Sequence, residues 1–310
     1  MQTAMYIFSY LIFPGFLFTA VIGLLTTWID RKVTARIQWR VGPPWYQPFA
    51  DTVKLLGKEV VVPAGARRTG FLLVPVIGLA AATLASMILW LVNLNPSTSF
   101  VGDVIVVIYI MTIPAIAMIL GASASANPLG IIGASREMKL LFAYELPLVI
   151  SVITTVYKTG SFSFESILTH QSQEGVMLGS LSGVIAFIVA IFCGQAKLTF
   201  VPFDIPEAET ELAGGSHIEY SGAALAVVRL NMAMMFFIIP VFFITVFWGG
   251  IAFTGWRILT SIIKYVVIVV IMVLIKNTNP RVRIDHAVRF FWGPMFALSV
   301  VAMILAFLGY

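Results

Sequence analysis

The chain is poor in the residues that usually carry cofactor chemistry. It has one cysteine, Cys193, and three histidines, His170, His217 and His286, set far apart. A single thiol forms no internal disulfide. Without a CxxC spacing the chain is not expected to ligate an iron–sulfur cluster or a structural zinc by itself. HExxH, P-loop and GxGxxG motifs are all missing, so metalloprotease, nucleotide-phosphate and dinucleotide chemistry is not indicated. If electrons are involved, another chain carries them. The three histidines read as structural or surface groups, with His217 a lesser candidate for a proton relay because acids crowd around it. Internal repeats are also missing, which argues against the inverted-repeat designs of stand-alone transporters. The first apolar run is too long for a signal-peptide h-region and no basic segment precedes it, so no cleaved signal is expected.

Charge is scarce as well. Only 11% of the 310 residues are charged, against about a quarter in soluble domains. In its place, 60% are apolar and the mean hydropathy is +0.99. This composition describes an all-α polytopic membrane protein forming one integral domain over residues 1–310. Eight apolar stretches approach the ~20 residues that a bilayer core requires. They lie near 6–28, 71–92, 103–120, 140–157, 178–196, 223–247, 256–275 and 288–308. Most of the Lys and Arg fall in the loops after the odd-numbered spans, beginning with Arg31, Lys32, Arg36 and Arg40. The positive-inside rule then makes those loops cytoplasmic and leaves both termini outside. The loops 29–70, 121–139, 197–222 and 276–287 would form a cytoplasmic docking face. Within the first of them, Phe49, Val53 and Leu56 repeat with helical period after Trp45. That pattern predicts an interfacial amphipathic helix.

Against this oily background stands "FVPFDIPEAETELAGGSHIEY", residues 200–220, which gathers Asp204, Glu207, Glu209, Glu211 and Glu219. A loop in water can carry acids for solubility alone. Here, however, Phe200, Val201, Phe203, Ile205, Leu212 and Ile218 interleave them, and Pro202 and Pro206 stiffen the backbone. Glu207 and Glu211, four apart, would share a helix face and repel. Crowded carboxylates raise one another's pKa and suit proton uptake and transfer.

Inside the spans the signal is sharper. Glu145 sits within "LLFAYELPLVISV", two residues before Pro147. An ionisable group at that depth is a functional candidate; the plainer reading is an interfacial Glu near a span end. Lys264 lies near the middle of the seventh span and Arg229 about two turns into the sixth. Both are expected to face the bundle interior, with Glu145 and Glu219 as their natural acidic partners. Asp30 closes the first span beside Arg31 and Lys32, where a simple basic anchor has no use for an acid.

These stretches together resemble a known family. "VPFDIPEAETELAGGSHIEYSG" is similar to the signature of the NADH dehydrogenase subunit 1 family, the H-type membrane subunit of respiratory complex I. "DRKVTARIQWRVGPP", "QPFADTVKLLGKE" and "GASREMKLLFAYELP" match three further family stretches in order. Two departures stand out. Asp30 takes the place of the usual Glu, and the segment between "RVGP" and "QPFAD" is shortened. Both look more like the branch found in membrane-bound energy-converting [NiFe] hydrogenases and sulfane reductases, which work without a quinone.

The resemblance implies a non-catalytic coupling subunit of a ferredoxin-linked, redox-driven ion pump in a prokaryotic cell membrane. Glu145, Asp204, Glu207, Glu209, Glu211, Glu219, Lys264 and Arg229 would belong to its proton or ion path. Asp30, Arg31, Lys32, Arg36, Arg40 and Arg136 would dock the redox arm or shape its pocket. The expected partners are an iron–sulfur small subunit, a catalytic large subunit, and antiporter-like and small membrane subunits that move H⁺ or Na⁺. The [4Fe–4S] clusters and a [NiFe] or related centre would reside in those partners, with no cofactor on this chain. The alternative is the quinone-chamber subunit of complex I itself, and quinone would be a ligand only in that case.

Overall fold

The computed structural model describes residues 2–253 and 255–310; the side chains of residues 2–4, 209 and 210 lie outside the described residues. Fourteen α-helices follow one another, and no strand occurs among the described residues. They are α1 (Gln2–Leu11), α2 (Phe16–Ile37), α3 (Gln47–Leu56), α4 (Arg68–Leu94), α5 (Asp103–Ile110), α6 (Ile113–Ala124) and α7 (Pro128–Thr159). After them come α8 (Phe164–Gln173), α9 (Leu181–Lys197), α10 (Glu209–Leu212), α11 (Gly222–Phe247), α12 (Arg257–Thr278), α13 (Ile284–Phe290) and α14 (Phe296–Phe307).

The architecture is that of a polytopic membrane protein. Among the described residues, seven helical stretches are long and apolar enough to cross a bilayer. The first joins α1 to α2, and the third joins α5 to α6. The last joins α13 to α14 through a π-helical turn, Phe291–Met295, around Pro294. The fifth expected span is α9, which is apolar but only 17 residues long, roughly 26 Å at helical rise. The central element is α11, in which every residue from Ala233 to Phe247 is buried. It packs on α2, α3, α4 and α12. Beyond Arg229 and Asn231 near its start, its sequence is apolar on almost every side, as a helix enclosed by other helices requires.

Several expected loops are helical. α2 runs nine residues past the first apolar stretch and carries Asp30, Arg31, Lys32 and Arg36 on its last turns. α7 begins at Pro128, well before the apolar stretch at 140. Asn127 caps it by accepting from Leu129 N at 2.9 Å, with Pro128 at the first helical position. The helix passes through Pro147 and stops at Gly160, whose φ of +67° suits a left-handed cap. The expected amphipathic helix is present as α3. Pro48 is buried on one side, while Val53 and Leu56 are exposed on the other.

Candidate ion-coupling site

The third span is broken. α5 stops at Ile110 and α6 starts at Ile113, one residue before Pro114, whose missing N–H cannot continue the ladder. Thr112 sits at this break, and three elements meet there. Lys197, the last residue of α9, donates from Nζ to Thr112 Oγ1 at 3.0 Å and to Glu145 Oε2 on α7 at 3.2 Å. Thr112 Oγ1 in turn donates to Glu145 Oε1 at 2.9 Å. The Tyr144 ring lies 5.4 Å from the ammonium. Lys197 is 8% exposed, so it is a buried ion-pair partner rather than the first residue of a cytoplasmic loop. The pairing expected for Glu145 is therefore corrected: its partner is Lys197, neither Lys264 nor Arg229. Lys264 instead donates to the Trp248 carbonyl at 2.6 Å, beyond the last turn of α11, where a cation complements the helix dipole. Arg229 is exposed and lines two surface hollows.

Towards the acidic loop, Lys197 lines a cavity of about 40 Å³ together with Glu137, Thr199, Glu207, His217 and Asn231. Roughly 10–15 Å³ suffices for one water, so the cavity has room for water. Asn231 Oδ1 and His217 Nε2 are buried without a protein partner, and water would satisfy both. Glu207 and His217 also line a larger hollow of about 440 Å³ beside Arg229, so they stand between the two spaces. His217 Nδ1 is 3.3 Å from Glu207 Oε1, and Thr199 Oγ1 donates to the same oxygen at 3.2 Å. Burial pushes the Glu207 carboxyl above its ordinary range; the imidazole of His217 opposes this, and the charge of Asp204 adds to it.

The loop is pinned on both sides. Gln195 Nε2 donates to the Val201 and Met272 carbonyls, and Val282 N donates to the Pro202 carbonyl at 3.0 Å. Gly215 adopts φ +53°, and a Cβ there would strike the Pro206 carbonyl. Gly133 of α7 lets the loop lie directly on the helix, because a Cβ would come within 2.6 Å of Ser216 N.

The acids do not form one cluster. Glu207 precedes α10 and turns inward, so it shares no helix face with Glu211. Glu211 is exposed and pairs with Arg136 Nη1 at 2.6 Å. The hydrogen bond from Arg136 and then its charge hold Glu211 below the usual carboxylate range. Asp204 pairs with Arg281. Glu219 Oε1 accepts from Asn127 Nδ2 at 2.5 Å, not from Arg229. The Glu209 side chain lies outside the described residues. Separate partners for Asp204, Glu207, Glu211 and Glu219 relieve the mutual repulsion that spacing alone suggested, although the charge of Asp204 still acts on Glu207.

The basic residues at the end of α2 divide as well. Asp30 is buried and accepts from Lys276 Nζ at 2.8 Å, tying α2 to α12. Arg31 pairs with Asp51 of α3 at 2.9 Å. Lys32 is half-buried, while Arg36 and Arg40 are exposed. Asp30, Arg31, Asp51 and Arg229 line a hollow of about 310 Å³ whose other walls are largely apolar, among them Leu24, Phe200 and Phe236.

Sequence reasoning missed Thr112, Glu137 and Lys197 as site residues and set His217 aside. Pro114 was the signal for the helix break. Glu137 adjoins Arg136, but neighbours on a helix diverge by about 100°, so one faces outward and the other inward.

Residues 9–307 match the sequence model of the NADH dehydrogenase family. The H-type subunit of the NADH-quinone oxidoreductase of Geobacillus thermodenitrificans is 32% identical over 93% of this chain and 90% of its own length. The same subunit of Thermomicrobium roseum is 32% identical over 95% of this chain and 94% of its own length. Among solved structures, a chain of the membrane-bound sulfane sulfur reductase, an archaeal respiratory membrane complex, superposes with a TM-score of 0.82 at 26% identity. That match covers 94% of this chain and 96% of the other.

Proposed function

Because the chain belongs to the NADH dehydrogenase family and is a membrane subunit of a complex I-like assembly, we propose that it couples redox chemistry in partner subunits to ion movement. It is the coupling subunit of a ferredoxin-linked pump of the membrane-bound hydrogenase or sulfane reductase type. The observation that carries this reading is a series of polar groups from the loop into the bundle, bridged at one point by a cavity with room for water. It runs from His217 and Glu207, through the cavity lined by Glu137, to Lys197 and Glu145. Closely coupled groups of this kind titrate as a set. A change of charge or position at the loop is therefore felt along the series.

In this reading the ends of α2 and α7 and the acidic loop face the cytoplasm and receive the redox arm. Arg36 and Arg40 are free to meet it. The iron–sulfur and catalytic centres reside in that arm, and antiporter-like subunits move H⁺ or Na⁺. The second reading, a quinone-chamber subunit, is favoured by the NADH-quinone oxidoreductase relatives and by the mostly apolar hollow beside Arg31 and Arg229. The shortened segment before Gln47 favours the first.

The test is Glu145→Gln in the intact complex in sealed vesicles. Electron transfer through the arm is expected to persist while the ion gradient collapses. Survival of both would make Glu145 a bystander and the acidic loop a docking surface only. Turnover with reduced ferredoxin and no dependence on quinone separates the first reading from the second.

A further inference from the structure

Glu137 is 7% exposed and makes no hydrogen bond or ion pair with a described residue. A buried carboxylate without a protein partner is disfavoured as an anion, and cavity water, a proton or a cation relieves it. Lys197 lines the same small cavity, while its ammonium here rests on Glu145. Glu137 and Glu145 are eight residues apart on α7, roughly 12 Å along the axis. Lys197, the last residue of α9, lines the cavity with Glu137 and carries its ammonium on a flexible four-carbon stem, with the Tyr144 ring beside its head group.

We propose that Lys197 is a two-position switch whose ammonium alternates between Glu145 and Glu137 while one proton passes between the two carboxyls. The proposal rests on the relay reading above and deepens it. In the first state the ammonium faces ionised Glu145 and Glu137 carries the proton. In the second the ammonium faces ionised Glu137 and Glu145 carries it. The O–H bond at Glu137 breaks, an O–H bond at Glu145 forms, and no electron moves. The three groups sum to zero charge in both states, so no uncompensated charge is left buried. The other groups facing the trio are Thr112 from the helix break, Tyr144 on α7, Cys193 on α9, Asn231 on α11, and Glu207 and His217 from the loop. Glu207 lines the same cavity and in this scheme reprotonates Glu137 through water held there.

The experiment is infrared difference spectroscopy of the intact complex on reduction, with gradient formation and electron transfer measured alongside. The wild type is expected to lose one protonated-carboxyl band and gain another. Glu137→Gln should remove the loss and Glu145→Gln the gain. Lys197→Arg keeps the charge on Glu145 but replaces a mobile point charge with a planar fork. It should abolish both bands and the gradient while electron transfer continues. A merely structural Lys197 would let the Arg variant pump normally, and that result would overturn the switch. So would carboxyl bands indifferent to Glu137→Gln, even where Glu145→Gln uncouples. If Glu145→Gln leaves the gradient intact, the relay reading falls and the switch falls with it. Should the Arg variant fail to assemble, the two Gln spectra decide alone, because neither amide alters side-chain volume appreciably.

Discussion

Lys197 Nζ lies 3.2 Å from Glu145 Oε2, across 52 residues of sequence. The pair joins the end of α9 to the middle of α7 at the point where the third span breaks. Both partners are largely enclosed, with side-chain exposures of 2% and 18%, so neither is screened as a surface pair would be.

Removing one partner leaves the other's charge in the bundle. Lys197→Met is expected to destabilise the protein by about 3–5 kcal/mol, the usual effect of breaking a buried pair. The double variant Lys197→Met/Glu145→Leu should recover most of that loss. Thermal unfolding of the purified complex in detergent measures both. Equal loss in the single and double variants would mean that the lysine stem, rather than the pair, supplies the stability.

Glu207 should make stability fall as pH rises. Its folded-state pKa is raised by burial. Across the window from the ordinary carboxylate range, about 4.3, upward, the folded state therefore holds a proton that the unfolded state has released. Below that window both states are protonated and the group is silent. Glu207→Gln is expected to flatten this slope, leaving the variant relatively more stable at neutral pH than in acid. Unfolding midpoints across pH check the sign.

Glu211 should act in the opposite sense. Arg136 holds its pKa down, so its contribution is present above the ordinary carboxylate range and is lost as pH falls through the folded value. The pair is open to solvent, so the effect is small and salt-sensitive. Arg136→Ala should remove the acid-side loss without touching the slope from Glu207. Comparing titrations at low and high salt tests this.

Gly133 should be intolerant of any side chain. A Cβ there would approach Ser216 N to 2.6 Å and the Pro206 carbonyl to 3.0 Å. Both are backbone atoms, which cannot rotate away. Gly133→Ala is expected to cost about 1–3 kcal/mol, as overpacking usually does, and to lift the loop from α7. Faster amide exchange over residues 206–217 would report the displacement, while unchanged exchange would mean that α7 yields instead.

The membrane fold, the amphipathic α3 and the acidic loop were legible in the sequence, because each is a local pattern. An apolar run of bilayer length, a helical period of three to four residues and a crowd of carboxylates all announce themselves within about twenty positions. Glu145 was legible for the same reason, as a charge amid apolar neighbours. The ends of the spans were less so. Hydropathy marks where lipid contact stops, whereas α2 and α7 continue as helices beyond that limit, carrying Asp30 and Arg136 into the cytoplasmic surface of the proposed orientation.

What the sequence by itself determined is which groups the membrane must accommodate. Which groups meet was decided only by tertiary packing. Glu145 chose Lys197 over Lys264 and Arg229 because α9 ends beside the break at Thr112. The loop acids separated because Arg136, Arg281 and Asn127 each reached one of them, leaving Glu207 to turn inward to His217. A buried charge takes whichever partner the packing brings within hydrogen-bond distance, and that distance is set by helices far apart in the chain.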